Sequence, residues 1–495
     1  MLADASARVW NAILSFALLP IYLWFIGAES FGIISMFASV QAIIALFDCS
    51  LAPSLTRELS RARATNEDWR RMHDLTRTME GVYWGLAVLA GTVFSLLAPL
   101  IAGRWLNPEK LSVAEVRSAL LVGAIALAVQ WPSTLYAGGL VGLVRQKTLA
   151  AVGMIGGTLR AAVSIFCLWA ISPTVEAIFW VAVVLGLAQT LIMRRLFWLS
   201  MPHQEMRGTF QGQLLVDIWR FALGVSAITI TSVVLLQADK LAMSRLLRLD
   251  EFGYYAIASA LANGLFIITG SIFSVSFPKF SELAATNDPR KVAAFYHLAC
   301  QGVSMAVLPL AAVVAFFPRE LLLLWTRDAH IAQQGQLILT VFVVGNVFNC
   351  LMSVPYTVQL AFGWTRIAIM SNLTSLLLVF PLIMLLFPKY GSLSGAITWG
   401  IINLGLLIAQ TTALHYQVLR SEAGKWYKLD AGLPLLTSVL TVAAVRLPIP
   451  ALDHRGHIVL AILIAWVLAS ACALAVLSDV RTWLVRSILP TRTLA

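Results

Sequence analysis

Charged side chains inside long apolar segments are the residues of this sequence best suited to do chemistry. Arg160 lies near the middle of one such segment, where an arginine costs about 2.5–3.5 kcal/mol on insertion scales. Such a residue usually faces a bundle interior or an aqueous cavity. It can line a path for an anionic substrate, or it can be held by a structural partner or a local water defect. The sequence leaves these alternatives open.

Four further charged residues near segment ends are candidates for a substrate path: Asp48, Arg220, Asp239 and Lys240. Asp48 is close enough to its segment end for the side chain to reach the headgroups. Arg220 follows Asp217 by three residues, so a local ion pair explains both. Asp239 and Lys240 are adjacent, and neighbours on a helix point in different directions, so they need not pair with each other.

No catalytic motif accompanies these charges. The sequence has no HExxH, Walker loop or GxSxG pattern, and all seven histidines fall in predicted loops or at segment ends. The five cysteines lie in or beside apolar runs without CxxC spacing, which favours small buried apolar residues over disulfides or metal ligands. The predicted outer loops are short. We therefore expect no enzyme activity, no cofactor and no metal site, but passage of a molecule through a membrane.

The elements that must position these charges are membrane-spanning helices. The chain is 59% hydrophobic and 12% charged, with a mean hydropathy of +0.84, whereas soluble domains carry about 25% charged residues. Apolar runs near the ~20 residues that span a bilayer recur along the chain. We predict an all-α polytopic membrane protein with about fourteen transmembrane helices, near 7–27, 30–52, 80–102, 118–141, 148–171, 175–198, 219–239, 252–276, 296–317, 333–353, 364–387, 391–415, 431–447 and 457–477.

An internal repeat organises these helices. Glu29-Ser-Phe-Gly returns as Asp250-Glu-Phe-Gly at an offset of 221. Further pairs recur in order at offsets of 219 to 221, among them Trp105 with Trp325 and Tyr136 with Tyr356. Six spans are an even number, so the halves are predicted to be parallel repeats about an axis along the membrane normal. The predicted parts are an N-terminal six-helix lobe (1–200), a linker (201–212), a C-terminal six-helix lobe (213–420), and an extra helix pair with the C-terminal tail (421–495).

Lysine and arginine predict the orientation. With the N-terminus inside, cytoplasmic segments hold 22 of these residues and outer segments hold 11, a positive-inside bias that places both termini in the cytoplasm. The net charge of +11 therefore requires no nucleic-acid partner. The basic loop 56–78 either determines topology or binds anionic headgroups or a diphosphate. A helix start is predicted within it at Asn66-Glu-Asp and, in the repeat, at Asn287-Asp288.

Several motifs carry a resemblance to a known family. They are Leu19-Pro-Ile-Tyr-Leu, Gly27-Ala-Glu-Ser-Phe-Gly-Ile, Gln237-Ala-Asp-Lys, Glu251-Phe-Gly-Tyr-Tyr and Phe277-Pro-Lys-Phe-Ser. Over about residues 1–420 the chain resembles the bacterial polysaccharide flippases of the O-antigen (Wzx) type, which belong to the multidrug/oligosaccharidyl-lipid/polysaccharide exporter superfamily. The motifs are mostly packing and turn signatures, so they indicate the superfamily better than the substrate.

The resemblance implies two six-helix lobes around a cavity lined mainly by spans 1, 2, 7 and 8. It implies export by alternating access of an undecaprenyl-diphosphate-linked oligosaccharide from the cytoplasmic to the outer leaflet of the inner membrane. The implied partners are this lipid-linked oligosaccharide, membrane lipids and other polysaccharide-assembly proteins. The alternatives are a cation-coupled multidrug exporter, a lipid II flippase, whose fourteen spans the extra helix pair matches, and a membrane polysaccharide-assembly enzyme.

Overall fold

The computed structural model describes residues 2–48, 51–65, 69–202, 208–286, 288–449 and 455–488. Every regular element within these ranges is helical, as predicted. The α-helices are α1 (Leu2–Ile44), α2 (Leu51–Thr65), α3 (Trp69–Leu100), α4 (Val113–Gln130), α5 (Ser133–Gly142), α6 (Gln146–Ala170), α7 (Val175–Ser200), α8 (Gln213–Leu246), α9 (Leu249–Ala262), α10 (Leu265–Thr286), α11 (Pro289–Phe316), α12 (Pro318–Thr326), α13 (Ala329–Ala361), α14 (Thr365–Tyr390), α15 (Leu393–Gln417), α16 (Ala423–Lys425), α17 (Leu433–Arg446), α18 (Arg455–Val476) and α19 (Ser478–Ile488). Short 3₁₀ and π turns cover 45–48, 101–105 and 426–432.

Twelve stretches of the described chain are helical, long and apolar enough to cross a membrane. The protein is therefore an all-α, multi-pass membrane protein, which confirms the predicted fold class. The predicted seventh span corresponds to α8, whose side chains at 215–229 lie outside the described part of the structure, so the twelve do not test it. The thirteenth predicted span begins earlier than expected, because α16 and the π turn extend it to Ala423–Arg446. The count of fourteen stays a prediction.

Helix α1 contains the first two predicted spans. Its 43 residues would extend about 65 Å as one straight helix, twice the ~30 Å of a hydrocarbon core. Gly27 breaks it, with φ 75° and ψ 175°, a conformation open almost only to glycine. Before the break Trp10 contacts Thr158 of α6, and after it Phe37 packs against Gly123 of α4. One glycine therefore replaces the short outer loop that the sequence predicts.

The helices repeat along the chain as the sequence does. The predicted second span is interrupted after Ile44 and continues as α2, and the predicted eighth span is interrupted after Ala262 and continues as α10. These interruptions lie near the repeat offset of 221 residues. In each half a long helix follows them, α3 and α11. The predicted superposition of the two halves stays a prediction.

Local signals explain where several helices begin. Ser112 and Glu115 form a capping box at the start of α4, and Thr174 caps α7. Asp288 caps α11 by accepting hydrogen bonds from the backbone amides of Arg290 and Lys291, so the start predicted at Asn287-Asp288 falls on Asp288. The start predicted at residues 66–68 and the residue Asn287 itself lie outside the described ranges.

The chain forms two compact units, 1–253 and 254–495. In the first unit, a core under α2, α3, α5 and α7 is built on Leu55, Tyr83, Tyr136 and Phe197. In the second unit, α13 and α15 approach closely at Gly345, where small residues let helix backbones meet. Helix α8 packs against α1 and belongs to the first unit. The lobe boundaries 1–200 and 213–420 stay a prediction.

Candidate functional site

Arg160 lies on α6 and is half-buried inside the first compact unit. Its Nη1 donates a hydrogen bond to Oε1 of Gln130 on α4 (3.3 Å), and its Nη2 donates to Oε1 of Gln189 on α7 (3.4 Å). Its Nε is buried and, among the described residues, has no hydrogen-bond partner. Within the described part of the chain Arg160 forms no ion pair. Both partners are neutral amides, so neither neutralises the charge of the guanidinium.

Glycines bring further polar groups to the same region of α6. A Cβ at Gly157 would lie 2.3 Å from Oδ1 of Asn11, and one at Gly156 would lie 3.1 Å from Oε1 of Gln189. Next to Asn11 in the chain, Trp10 donates a hydrogen bond from Nε1 to Thr158 Oγ1 (2.9 Å). Helices α1, α4 and α7 thus bring amide groups to the part of α6 that carries Gly156, Gly157 and Arg160. Polar but uncharged groups of this kind can stabilise the Arg160 charge without neutralising it, so the charge can still attract an anion.

The other predicted site residues are placed differently. Asp239 is buried near the end of α8, with 4% of its surface exposed, and Lys240 is half-buried. The hydrogen bonds of Arg160 go to glutamines and do not join it to Asp239 or Lys240. The side chains of Asp48 and Arg220 lie outside the described part of the structure. The assignment of all five residues to a substrate path stays a prediction.

A second charged cluster, centred on Glu80, was missed in the sequence. The Glu80 carboxylate is buried and accepts hydrogen bonds from Arg194 Nε, from Tyr136 Oη (2.6 Å) and from Arg77 Nη1 (2.6 Å). Trp84 Nε1 donates to Tyr136 Oη (3.2 Å). Two arginines share one carboxylate, so the cluster carries a net charge of about +1. The three-residue spacing of Arg77 and Glu80 was the available sequence signal.

A third cluster joins α11 to the C-terminal helices inside the second unit. His297 is buried, with Nδ1 against Asp430 Oδ2 and Nε2 against Glu422 Oε2 (2.9 Å). Gln301 Nε2 donates to Asp430 Oδ1 (2.9 Å) and to Asp479 Oδ2 (3.1 Å). The hydrogen bond from His297 lowers the pKa of the Glu422 carboxyl. An imidazole between two carboxylates fastens the extra helix pair to the second repeat.

Buried histidines are the main difference from the sequence-based expectation. His73, His297 and His415 lie inside α3, α11 and α15 and are at most 5% exposed, whereas His73 was expected in a loop and the other two at the ends of predicted spans. Hydropathy alone underestimates how far a helix extends past the apolar run, so residues near a predicted end can be buried. In the described ranges, no group of three or more His, Cys, Asp or Glu side chains has the geometry of a metal site. The four described cysteines are free, and Cys472 is exposed.

Comparison with known proteins agrees with this architecture. The profile of the family described as "Polysaccharide biosynthesis protein" matches residues 24–326. The chain is 21% identical over 384 residues to a Shigella flexneri protein named "Putative O-antigen transporter", covering 76% of this chain and 87% of that protein.

Solved structures share the fold. The lipid II flippase MurJ in an inward closed conformation has a TM-score of 0.73 at 13% identity, covering 99% of this chain and 100% of that one. An inward-facing multidrug resistance MATE family transporter of the MOP superfamily has a TM-score of 0.65 at 14% identity, covering 86% and 96%. These matches confirm the resemblance indicated by the sequence motifs. Because the family profile matches more than half of the chain, the chain belongs to the polysaccharide biosynthesis protein family.

Proposed function

We propose that this protein is a flippase that moves an undecaprenyl-diphosphate-linked oligosaccharide from the cytoplasmic to the outer leaflet of the bacterial inner membrane. Family membership over residues 24–326 is the observation that carries the proposal. The Shigella relative named as an O-antigen transporter supports the same substrate class. Both termini are proposed to lie in the cytoplasm, in keeping with the distribution of lysine and arginine.

The Arg160 cluster fits this substrate chemically. A sugar and a diphosphate are strongly hydrated, so they need a polar, cationic environment to cross hydrocarbon. Arg160 supplies a charge that Gln130 and Gln189 orient but do not neutralise. Hydrogen bonds of 3.3 and 3.4 Å are long for charged donors, so the guanidinium is held loosely enough to exchange partners. An attraction of this kind concentrates an anion without trapping it.

A lipid II flippase is the second candidate. The similarity to the lipid II flippase covers 99% of this chain, whereas the similarity to the multidrug transporter covers 86%. The extra helices α17 and α18 are consistent with that difference in coverage. This favours a lipid-linked substrate over a soluble drug.

Complementation tests the proposal. We expect the gene to restore surface polysaccharide in a host lacking its polysaccharide flippase, without raising drug resistance. Rescue of a strain depleted of its lipid II flippase would favour the second candidate. Drug export without either rescue would refute a lipid-linked substrate.

Variants of Arg160 test the role of its charge. Arg160→Ala should reduce export per protein molecule about tenfold or more, and Arg160→Lys should retain part of it, because lysine keeps the charge but loses the planar fork. Arg104→Ala, which removes an exposed arginine of the same unit, is the matched control. Normal export per molecule in Arg160→Ala would refute this role, and a fall in abundance alone would indicate a structural one.

A further inference from the structure

A cavity of about 440 Å³ opens between α3, α7 and the connection that follows α7. Its size is within the usual range for a small-ligand site. All its lining residues belong to the first compact unit. They are Arg77, Glu80, Gly81, Trp84, Leu191, Arg194, Gly208 and Phe210. The substrate-path candidates Arg160, Asp239 and Lys240 are not among them.

One end of the cavity is positively charged. Arg77 uses Nη1 and Arg194 uses Nε to bind Glu80. Among the described residues, Arg77 makes no further hydrogen bond, and Arg194 lies also beside the Tyr136 hydroxyl. The two side chains are 50% and 41% exposed. Donors that are oriented by one carboxylate and still unused are suited to a phosphate oxyanion.

The other end of the cavity is apolar. Trp84 lies one turn beyond Glu80 on α3, and Leu191 lies one turn before Arg194 on α7. Glu80 pairs with Arg194, and the His73 ring lies beside the Trp198 ring at a tilt of 47°, so the two helices run antiparallel here. Trp84 and Leu191 therefore both lie on the membrane side of the charges. This arrangement matches an amphiphile, with its headgroup at the arginines and its chain toward the bilayer.

The third wall is held firmly in place. Asp74 accepts hydrogen bonds from the backbone amide of Thr209 (2.6 Å) and from Gln211 Nε2 (2.8 Å). Thr78 Oγ1 accepts from the backbone amide of Gln211 (2.8 Å). Phe210, between them, is 64% exposed and lines the cavity. A large aromatic ring fixed on an exposed wall gives a ligand apolar contact at little entropic cost.

At the sequence positions that match these arginines, the second half of the chain carries histidines that contact other residues of the chain. By the repeat offset of 220 or 221, Arg77 corresponds to His297 and Arg194 to His415. There Asp430 lies against His297. Trp426 is buried beside His415, with ring centroids 5.9 Å apart. In the second half, a carboxylate and an indole ring of the chain itself therefore lie beside the two histidines. In the first half, the matching positions are arginines, and a cavity lies beside them.

From these features we infer that the cavity between α3 and α7 binds an anionic amphiphile whose headgroup carries a phosphate. Arg77 and Arg194 contact the phosphate, and Trp84, Leu191 and Phe210 contact the beginning of the apolar chain. In the proposed orientation, with both termini in the cytoplasm, this site lies at the cytoplasmic leaflet. Because Phe210 belongs to the connection before α8, a bound headgroup stabilises that connection on α3.

Binding to the purified full-length protein tests the inference. Fluorescent phosphatidic acid, fluorescent phosphatidylcholine and inorganic pyrophosphate are the probes, with Kd measured in a neutral detergent. We expect phosphatidic acid to bind most tightly. Arg77→Gln should raise its Kd about tenfold, since one charged hydrogen-bonding group is lost. Phe210→Ser should raise its Kd about fivefold, through lost apolar contact, and leave pyrophosphate binding unchanged.

Matched controls separate this site from general effects of charge and hydrophobicity. Arg57→Gln removes another arginine that is 50% exposed and paired with a glutamate. Leu199→Ser removes another exposed apolar residue of α7. Arg194 is left in place, so that the buried Glu80 keeps one arginine partner when Arg77 is replaced. Equal Kd values for Arg77→Gln and Arg57→Gln would overturn the inference. Equal Kd values for phosphatidylcholine and phosphatidic acid would also overturn it. So would a Kd for pyrophosphate as low as that for phosphatidic acid, together with an unchanged Kd for phosphatidic acid in Phe210→Ser.

Discussion

Replacing His297 by alanine should detach the C-terminal helices from α11. The His297 and Asp430 side chains are 2% and 0% exposed, so the variant leaves a carboxylate buried with Gln301 as its remaining side-chain hydrogen-bond donor among the described residues. Leaving a buried carboxylate without its hydrogen-bonding partner costs about 3–5 kcal/mol. The free energy of unfolding, measured by equilibrium denaturation in mixed micelles, should fall by that amount. Proteolysis between α15 and α16 should accelerate.

A double-mutant cycle sharpens this prediction. Asp430→Asn removes the buried charge, so adding His297→Ala should then cost about 1–3 kcal/mol less than in the wild type. His330→Ala removes an exposed histidine of the same unit and should change stability little. A loss below about 1 kcal/mol in His297→Ala, or strict additivity in the cycle, would refute the ion-pair reasoning.

Three further predictions test other features. The hydrogen bond from His297 lowers the pKa of Glu422 in the folded protein. The stabilisation from Glu422 is therefore complete above its ordinary pKa of about 4.3 and is lost as the pH falls through the lower folded value. Melting curves recorded against pH should show this loss in the wild type but not in Glu422→Gln. Gly27→Ala should lower the free energy of unfolding by about 1–3 kcal/mol through backbone strain alone, since no described atom lies within 4 Å of the added Cβ. Gly85 has equally open surroundings but lies within a helix, so Gly85→Ala should be neutral or stabilising. Trp69→Cys and Glu422→Cys should react with an impermeant maleimide only in inverted vesicles, and labelling in intact cells would contradict the predicted orientation.

Several features followed directly from the sequence. Apolar length identifies membrane spans because the bilayer has a fixed thickness, and the lysine and arginine bias predicts orientation independently of packing. The duplication was visible because Glu29-Ser-Phe-Gly and Asp250-Glu-Phe-Gly recur at a constant offset. The structure confirms the all-helical membrane fold. It also shows the same interruption in both halves, after Ile44 and after Ala262.

What the sequence did not provide was the pairing of helix faces. A helix in lipid is apolar on nearly every side, as Leu96 and Leu97 of α3 show by being exposed, so periodicity does not reveal which face is buried. The partners of Arg160 are 30 and 29 residues away, and Asp430 is 133 residues from His297.

The sequence by itself therefore determined the membrane class, the repeat and the isolated charge of Arg160. Only the tertiary structure decided that this charge contacts amides, and that Glu80 and His297 become centres of buried networks. The physical reason is that hydropathy and charge counts depend on composition along the chain. Hydrogen-bond partners depend on the rotation and depth at which separate helices pack, and side chains from both helices set these together.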